Sequence, residues 1–595
     1  MGGLVGIIGD GSLAELQAMA ARMPYRGDAH CWSPSHEVYL GEVVRYSELL
    51  VHEEGCFAID APGDSPSRQH IESDILRRGD AAIADIRGFF AIARWNPVAQ
   101  ALTLACDRHG YKTLYLAELP GRIAFASDYK ALLALTDLPA RVDRDVLQTY
   151  LMSRSFSSER TLLATVQPVG GANLWTIGRD LKVRREPYWQ PRERGTAQRN
   201  FQQAAQELRR LLQWAMRRQL AGRNRIALAL SGGLDSVAVL ALAKHVRPDI
   251  EIASYTIGHG EQDPEIVRAR EAAQHFGTVH REFFLPPERV PHELERLVWL
   301  TEDLTGREEA VLQQVLAGEM SGREHEYLAG HGADADFAGM PRHRLMWLRD
   351  HAPPPLRGAL NELFVYTQQR EQPRSWLGRR LASFAYRGDT PEVPSVIGAK
   401  GTPLVNCPSL ADYCRSTITW LDTMRFHEPV EAACDVTMVT PFFDPTVVDF
   451  ALGCPTSFLI DARQQKRILR AAVRELMPVE LSQRRKLIQR MKHDIRLSEV
   501  LDDFASELRL QRSLAARDLV PADYLRMLQK RDAGAAYPSE RLHILWALIC
   551  AELWLRQFID QRGSGAADGA RQAPMARAAM NVAATARVSQ PAPRP

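Results

Sequence analysis

The chain has 595 residues, of which 45% are hydrophobic and 25% are charged. This length exceeds what one hydrophobic core supports, so we expect two or more domains of an ordinary globular protein. The 74 Lys and Arg residues nearly balance the 72 Asp and Glu residues, for a net charge of +2, which gives no reason to expect nucleic acid or an anionic membrane as a partner.

The first part of the chain, residues 1–135, consists of short β-type runs separated by turn residues. Strands are predicted at 4–9, 37–41, 56–60, 89–95, 102–106 and 122–127, and helices at 12–23 and 68–78. Such a pattern predicts a layered α+β domain. Residues 136–200 contain Pro, Gly and Arg in irregular order, and we expect them to connect this domain to a second one.

From residue 201 onward, strands and helices alternate. Helices are predicted at 201–219, from 236, at 264–276 and at 292–302, and strands at 225–230, 251–257, 278–284 and 326–330. Alternation of this kind predicts a doubly wound parallel sheet whose ligands bind beyond the carboxyl ends of the strands. Residues 345–425 show no clear pattern, 445–560 are predicted mostly helical, and the Ala-, Pro- and Gly-rich tail 561–595 is predicted disordered.

The eight cysteines are scattered, without a CxxC pair or a zinc-type His/Cys spacing. They are therefore interpreted as buried thiols of a reducing compartment. The N-terminus lacks the basic-then-apolar pattern of a signal peptide. Two apolar stretches, 226–243 and 542–555, contain polar or acidic residues or are too short to span a bilayer. We expect a cytoplasmic protein with no membrane insertion.

The strongest local signal is SGGLDS at 231–236, between a predicted strand and a predicted helix. Two glycines let the backbone approach a ligand, and the N–H groups at a helix start suit a pyrophosphate. The carboxylate of Asp235 is a candidate Mg²⁺ ligand. The predicted nucleotide-binding residues are Leu230, Ser231, Gly232, Gly233, Leu234, Asp235, Ser236, Ile257, Gly258 and Gly330.

A second acidic loop, LAGHGADADFAGM at 328–340, follows another predicted strand. Its glycines permit a tight turn at the same edge of the sheet, where Asp334 can supply a second Mg²⁺ ligand. Alone, this motif is as compatible with a surface turn as with a metal site.

Together, the segments SGGLDS, SYTIGHG (254–260), GHGADADFAG (330–339), TPFFDP (440–445) and RRKL (484–487) resemble the synthetase half of class B asparagine synthetases. The SGGLDS loop is similar to the signature of ATP pyrophosphatases, which cleave ATP between the α and β phosphates. The resemblance implies an adenine nucleotide α-hydrolase-like fold that uses ATP and Mg²⁺. It also implies that Asp235 and Asp334 bind the metal, and that Lys486 stabilises charge on phosphate and carbonyl oxygens.

The N-terminal part resembles a class II glutamine amidotransferase domain, an Ntn-type αββα sandwich. The similar segments are GLVGIIG (3–9), YRGD (25–28), IRGFFAIARWN (86–96) and CDRHGYKTLYL (106–116). The family's glutaminases use an N-terminal cysteine whose α-amine acts as base. Gly2 and Gly3 stand there instead, and the NGEIYN segment that helps form the oxyanion hole has no counterpart. We therefore expect negligible glutamine hydrolysis, with the amine supplied by the substrate.

Relatives without that cysteine include β-lactam synthetases and lasso peptide macrolactam synthetases. CDVTMVTPFFD (434–444) lacks the glutamate and arginine of the family's SLEVRVPFLD, which argues against aspartate as substrate. His331 replaces the glutamate of asparagine synthetases and the tyrosine of β-lactam synthetases. It is a candidate base, or a structural histidine in a glycine loop. Glu428 lies near the position of the family's substrate-side acidic residue.

The resemblance favours a lasso peptide cyclase, a ligase of antibiotic-type peptide biosynthesis. It would adenylate an Asp or Glu side chain near position seven to nine of a precursor peptide, and the peptide's own α-amine would close the macrolactam. A leader peptidase is a possible partner protein. The alternatives are a β-lactam-type synthetase, an asparagine synthetase fed by free ammonia, and a nucleotide-binding pseudoenzyme that acts as a scaffold.

Overall fold

In a computed structural model, the described residues are 2–45, 56–60, 67–153, 160–191, 200–304, 309–369, 374–385, 407–419, 424–484, 495–520, 525, 539–560 and 587–589. They form two sheet-based halves in contact with each other. The structure describes the side chains of seven cysteines. All seven are free thiols, and five of them are buried. Among the described residues, no helix combines the length and the apolar character needed to cross a bilayer.

The N-terminal half contains two antiparallel sheets that face each other. One has the order β2-β3-β1-β8-β7-β9 and the other β11-β10-β6-β5-β4. The strands are β1 Gly3–Gly9, β2 Asp28–Ser35, β3 Val38–Val44, β4 Cys56–Asp60, β5 Ala91–Asn96, β6 Ala101–Cys106, β7 Tyr115–Leu119, β8 Arg122–Ala126, β9 Gln167–Pro168, β10 Asn173–Gly178 and β11 Val183–Pro187. The helices of this half are α1 Leu13–Ala20, α2 Arg68–Arg78, α3 Tyr129–Leu132 and α4 Arg144–Ser153.

The side chains of the strands point alternately between the two sheets and to their outer faces, as a sandwich core requires. Ile8 of β1 and Phe125 of β8 pack with Trp95 of β5 in one buried cluster between the sheets. On the outer faces, Leu16 of α1 packs against the first sheet and Ile75 of α2 against the second. Helix, sheet, sheet and helix therefore form four layers, which confirms the predicted αββα sandwich.

The C-terminal half is built on a sheet of order β16-β15-β12-β13-β14-β17. Its strands are β12 Arg225–Ala229, β13 Glu251–Gly258, β14 Val279–Phe284, β15 Glu326–Leu328, β16 Thr437–Val439 and β17 Arg587–Ser589. The first five pair in parallel, and only β17 runs antiparallel, against β14. The helices that connect them are α5 Phe201–Gln219, α6 Leu234–Val246, α7 Pro264–Phe276, α8 Val290–Thr301 and α9 Glu309–Met320.

Local sequence signals explain these helices. Helix α5 starts with a capping box between Asn200 and Gln203. Helix α7 is capped by Asp263, has Pro264 in its first turn, and ends at Gly277 in the left-handed conformation. The remaining helices are α10 Ala333–Asp336, α11 Pro341–His351, α12 Pro354–Gln369, α13 Trp376–Ala385, α14 Leu410–Thr419, α15 Met424–Cys434, α16 Pro445–Leu452, α17 Thr456–Leu459, α18 Arg467–Val473, α19 Val479–Ser482, α20 Ile495–Glu507, α21 Leu510–Arg517 and α22 Ser539–Phe558.

The structure adds strands where the sequence shows none. β9, β10 and β11 lie in the region 136–200 that was expected to be a connection, yet they pair with β7 and β6 of the two sheets. The sandwich therefore draws on residues up to Pro187. In the tail that was predicted to be disordered, the three described residues 587–589 form β17. The described residues of the unpatterned region 345–425 are mostly helical.

Candidate functional site

The first loop of the site joins β12 to α6. Gly232 has φ +68°, and a Cβ there would lie 2.5 Å from the backbone nitrogen of Ala269. Only glycine fits this close approach without strain. The Ser236 hydroxyl receives the Ser231 N–H at 3.2 Å, which holds the loop around the start of the helix. Gly233 is the N-cap residue of α6 and gives it no side-chain hydrogen bond, and the N–H groups at such a helix start suit an anion.

The end of β13 lies beside this loop. The Thr256 hydroxyl donates to the carbonyl of Leu230 at 2.5 Å, and the Leu230 N–H donates to the Tyr255 carbonyl at 2.9 Å. Ile257 is buried, and a Cβ on Gly258 would lie 2.8 Å from the Ile266 side chain. The predicted residues of the second segment are thus placed at the carboxyl edge of the sheet, next to the first loop.

The second acidic loop, which follows β15, packs directly on the first. A Cβ on Gly330 would lie 2.8 Å from Cβ of Asp235 and 2.8 Å from the nitrogen of Ser236. Gly332 turns the chain with φ +97° into the short helix α10, which carries Asp334. The glycine contact brings the two candidate metal ligands to the same edge of the sheet.

A lysine that the sequence does not single out, Lys466, joins the two carboxylates. Its Nζ donates to both carboxylate oxygens of Asp235 at 2.6 Å and lies 2.6 Å from Oδ1 of Asp334. The Lys466 side chain is 6% exposed, while those of Asp235 and Asp334 are 22% and 30% exposed. Burial acts to lower the pKa of this lysine, but the two carboxylates outweigh it and raise the pKa above its usual value.

The sequence does not predict the contact between Lys466 and Asp235, because 231 residues separate them in the chain. It lies in QQKRILR (464–470), in a left-handed conformation at the start of α18. A bulky non-glycine residue with positive φ marks a position that its surroundings impose. The positive φ of Lys466 is known only from the folded structure, so it could not single out this lysine in the sequence.

The arrangement fits Mg²⁺ and ATP. Two partly exposed carboxylates that share one ammonium group lie close enough to share a hard cation, and oxygen is the ligand type that Mg²⁺ prefers. No set of three or more His, Cys, Asp or Glu side chains suited to a metal occurs among the described residues. Asp235 and Asp334 would therefore supply part of the coordination, with phosphate oxygens and water completing it. Such a cation, when bound, neutralises charge on the phosphates.

The predicted catalytic residue Lys486 lies outside the described residues. Two positions before it, the guanidinium of Arg484 donates to the carbonyl of Gly232 at 3.3 Å and to that of Arg268 at 3.0 Å. The Arg484 side chain also pairs with Glu271. The beginning of the RRKL segment is therefore fixed against the first loop.

His331 stands on the second loop, three residues before Asp334. Its ring packs on that of His427 with a centroid distance of 4.4 Å, and its Nε2 lies 3.3 Å from Nε2 of Gln313. Burial, together with the neighbouring His427, lowers the pKa of His331 to about 3. At neutral pH this imidazole is uncharged, and alone it is a weak base for an ammonium group.

Glu428 lies away from this group, at the contact between the two halves. Its carboxylate receives Arg26 at 2.6 and 2.7 Å and Lys112 at 2.9 Å, all from the N-terminal half. The side chain is 1% exposed. The structure therefore brings together Asp235, Asp334 and His331 but uses Glu428 in a buried ion-pair network between the halves.

The position of the amidotransferase nucleophile has no space for a side chain. A Cβ on Gly2 would lie 2.5 Å from Cγ1 of Val44, and one on Gly3 would lie 2.6 Å from Cδ of Arg26. The Arg26 guanidinium donates to the carbonyl of Gly2 at 2.6 Å. Packing and an arginine thus fill the place where a nucleophile would be needed.

Comparison with known proteins agrees with this arrangement. The asparagine synthase family profile matches residues 207–556, and the glutamine amidotransferase domain profile matches 71–189. A putative glutamine-hydrolyzing asparagine synthetase of Mycobacterium tuberculosis is 25% identical over 567 residues, covering 88% of this chain and 84% of that protein.

Two further relatives share less of the chain. Glutamine-hydrolyzing asparagine synthetase 1 of Bacillus subtilis is 24% identical and covers 76% of this chain and 74% of its own length. The carboxyethyl-arginine β-lactam synthase of Streptomyces clavuligerus is 25% identical over 52% of this chain and 57% of its own. With a family profile that spans more than half of its length, the chain belongs to the asparagine synthase family of ATP-dependent carbon–nitrogen ligases.

Proposed function

We propose that the protein is a macrolactam-forming ligase that adenylates a side-chain carboxylate of a precursor peptide and joins it to the peptide's own α-amine. The observation that carries the proposal is the Asp235–Lys466–Asp334 cluster beside the nucleotide loop, in a chain whose nucleophile position at Gly2 is filled. The first feature supports adenylation, with ATP and Mg²⁺ as cofactors. The second leaves the amine to come from the substrate.

The substrate side of the site supports a carboxylate other than free aspartate. Aligned on PFFD, Thr437 and Val439 occupy the positions of the family's glutamate and arginine, and both are buried in β16 against β15. Neither side chain can pair with the charged groups of a free amino acid. A peptide, which is held by many contacts and presents its amine close to the acyl group, gains most from orientation.

The proposed substrate, partner protein and cellular location follow from this chemistry. A precursor peptide is the substrate, a leader peptidase exposes its α-amine, and the reaction takes place in the cytoplasm, where ATP is available. The reaction forms the amide bond and releases pyrophosphate in the first step and AMP in the second.

The test is ATP–pyrophosphate exchange with synthetic peptides that carry a free N-terminus and a single Asp or Glu at position seven, eight or nine. We expect exchange with at least one peptide, and a product lighter by one water by mass spectrometry. Asp235→Ala should abolish exchange, while Asp249→Ala, at an exposed carboxylate paired with Arg247, should leave it unchanged. Lack of exchange with every peptide would refute the proposal.

A β-lactam-type synthetase is the second candidate, favoured by the similarity to the β-lactam synthase from Streptomyces clavuligerus. That enzyme is named for carboxyethyl-arginine, so this compound belongs in the same assay. Exchange with this compound and not with peptides would favour the second candidate. Aspartate with ammonium serves as the third arm and tests an ammonia-dependent asparagine synthetase. If none of these substrates supports exchange, the remaining alternative is a nucleotide-binding pseudoenzyme that acts as a scaffold.

A further inference from the structure

Helix α15 carries three buried polar residues on the side that faces the second acidic loop and the N-terminal half: His427, Glu428 and Glu431. Glu428 is neutralised by Arg26 and Lys112. His427 and Glu431 lie 3.6 Å apart as a pair, and within the described ranges neither is joined to a Lys or Arg side chain. They lie instead next to His331 of the candidate site, which makes their chemistry relevant to the ligase step.

The three side chains lie next to one another in a row. The rings of His331 and His427 are 4.4 Å apart between centroids, and Nδ1 of His427 lies 3.6 Å from Oε1 of Glu431. Within the described part of the chain, His331 Nδ1 and His427 Nε2 are buried atoms without a hydrogen-bond partner. An unpaired buried nitrogen is costly and calls for an explanation, of which a catalytic role is one.

Glu431 is held at the far end of the series by three donors. The Tyr327 hydroxyl donates to Oε1 at 2.6 Å, the Met438 N–H donates to Oε2 at 2.9 Å, and the Tyr111 hydroxyl of the N-terminal half also donates to Oε2. Burial raises the pKa of Glu431 to about 7, although both tyrosines act to lower it. A group with this pKa is suited to accept a proton near neutral pH.

We propose that His331, His427 and Glu431 form a proton-accepting relay for the amide-forming step, with Glu431 as the final acceptor. This inference rests on the proposed ligase function. The substrate ammonium gives its proton to one ring nitrogen of His331. That ring passes a proton from its other nitrogen to His427, and His427 passes one to Glu431, whose carboxylate becomes a carboxylic acid. The freed amine attacks the acyl carbon, a C–N bond forms, and the C–O bond to AMP breaks.

Two uncharged imidazoles suit this task. Burial and the neighbouring His427 lower the pKa of His331 to about 3, and burial lowers that of His427 to about 3. Neither ring retains the proton, so it moves on to the carboxylate. Tyr111 belongs to the N-terminal half, which thereby positions the acceptor of the C-terminal half.

The test separates the two half-reactions in the full-length protein, with whichever acid of the proposed panel supports pyrophosphate exchange. His427→Phe should retain exchange within about threefold, because ATP and the acid still react. Amide formation in a single turnover should fall by about 10²–10⁴-fold, the usual contribution of general base catalysis. The matched control is His280→Phe on β14, at a buried histidine 3.5 Å from Glu282, and both half-reactions should persist in it.

A pH profile distinguishes a relay from simple packing. The titratable groups around Glu431 are Tyr111, Tyr327, His331, His427 and Cys434. The rate of amide formation should rise with pH through the pKa of Glu431. Tyr111→Phe removes a donor that lowers this pKa, so the rising limb should move to higher pH.

Several outcomes would overturn the relay. One is an equal loss of both half-reactions in His427→Phe, and another is an unmoved pH limb in Tyr111→Phe. Where the wild type shows no exchange with any acid, the proposed function fails first and the relay fails with it. That result is distinct from exchange that persists alongside unaffected amide formation, which refutes the relay alone.

Discussion

Replacement of Arg26 by methionine should destabilise the whole protein through the contact between its halves. The Arg26 guanidinium is fully buried and pairs with Asp128 at 2.6 Å and with Glu428 at 2.6 Å. Lys112 also pairs with Glu428, and Lys130 lies 3.0 Å from Asp128 and 3.3 Å from Glu302. Three cations thus balance three anions, and removal of the arginine leaves one uncompensated negative charge in the interior.

The expected size follows from that imbalance. Loss of one partner of a buried ion pair costs about 3–5 kcal/mol. The two remaining lysines still pair with Asp128 and Glu428, so the lower end, about 3 kcal/mol, is expected. This is a large fraction of a total stability of roughly 5–15 kcal/mol. Asp128→Asn in the same chain removes the excess charge and leaves Lys130 to pair with Glu302, so the double variant should be more stable than Arg26→Met alone.

The assay is equilibrium unfolding in urea, followed by tryptophan fluorescence and circular dichroism. Arg247→Met is the control, since Arg247 pairs with the exposed Asp249 at the surface, where ion pairs contribute little. The reasoning would be refuted by an Arg26→Met midpoint that matches this control. It would equally be refuted by a double variant less stable than Arg26→Met.

The remaining predictions concern the site and its neighbours. Lys466→Met should raise the Mg²⁺ concentration needed for half-maximal exchange by about 10–100-fold, because this lysine orients both metal ligands; an unchanged Mg²⁺ titration would contradict this. Gly232→Ala should weaken ATP binding at least about tenfold by calorimetry, because φ +68° and the 2.5 Å approach of a Cβ to Ala269 force the loop to move; wild-type affinity would exclude such strain. Gly2→Cys should release no glutamate from glutamine, because the Val44 side chain and the Val43 carbonyl would lie 2.5 and 2.9 Å from its Cβ. Glu431, with its pKa raised to about 7 by burial from about 4.3 in the unfolded chain, binds its proton more tightly when folded. Its stabilising effect is therefore complete below about pH 4.3 and is lost as pH rises to about 7. Unfolding midpoints of Glu431→Gln should fall less across this range than those of the wild type, and parallel curves would contradict the assignment.

Much of the fold was predictable because its elements have strong local signals. The helix predicted at 201–219 and the strand predicted at 56–60 have those bounds in the structure. Alternating strands and helices also predicted the parallel sheet, and therefore the shared edge at which Asp235 and Asp334 meet. Glycine-rich turns after two strands were sufficient to identify both loops.

Other features depend on contacts that no local pattern records. β9 has two residues, and no residue of β11 is buried, so neither presents the apolar alternation of a strand. Lys466 resembles any other cation of a basic stretch until folding places it between two carboxylates. Glu428 resembled a substrate-side acid in sequence, but Arg26, 402 residues away in the chain, is its partner. Charge pairing across the halves decides its environment.

The burial of α15 between the halves has a practical consequence for work on the protein. Arg26, Lys112 and Tyr111 reach across to this helix, so a truncated C-terminal fragment would lose two cations that pair with Glu428 and one of the three donors to Glu431. We expect such a fragment to aggregate or to lose ligase turnover. Recombinant production and inhibitor screening should therefore use the intact polypeptide.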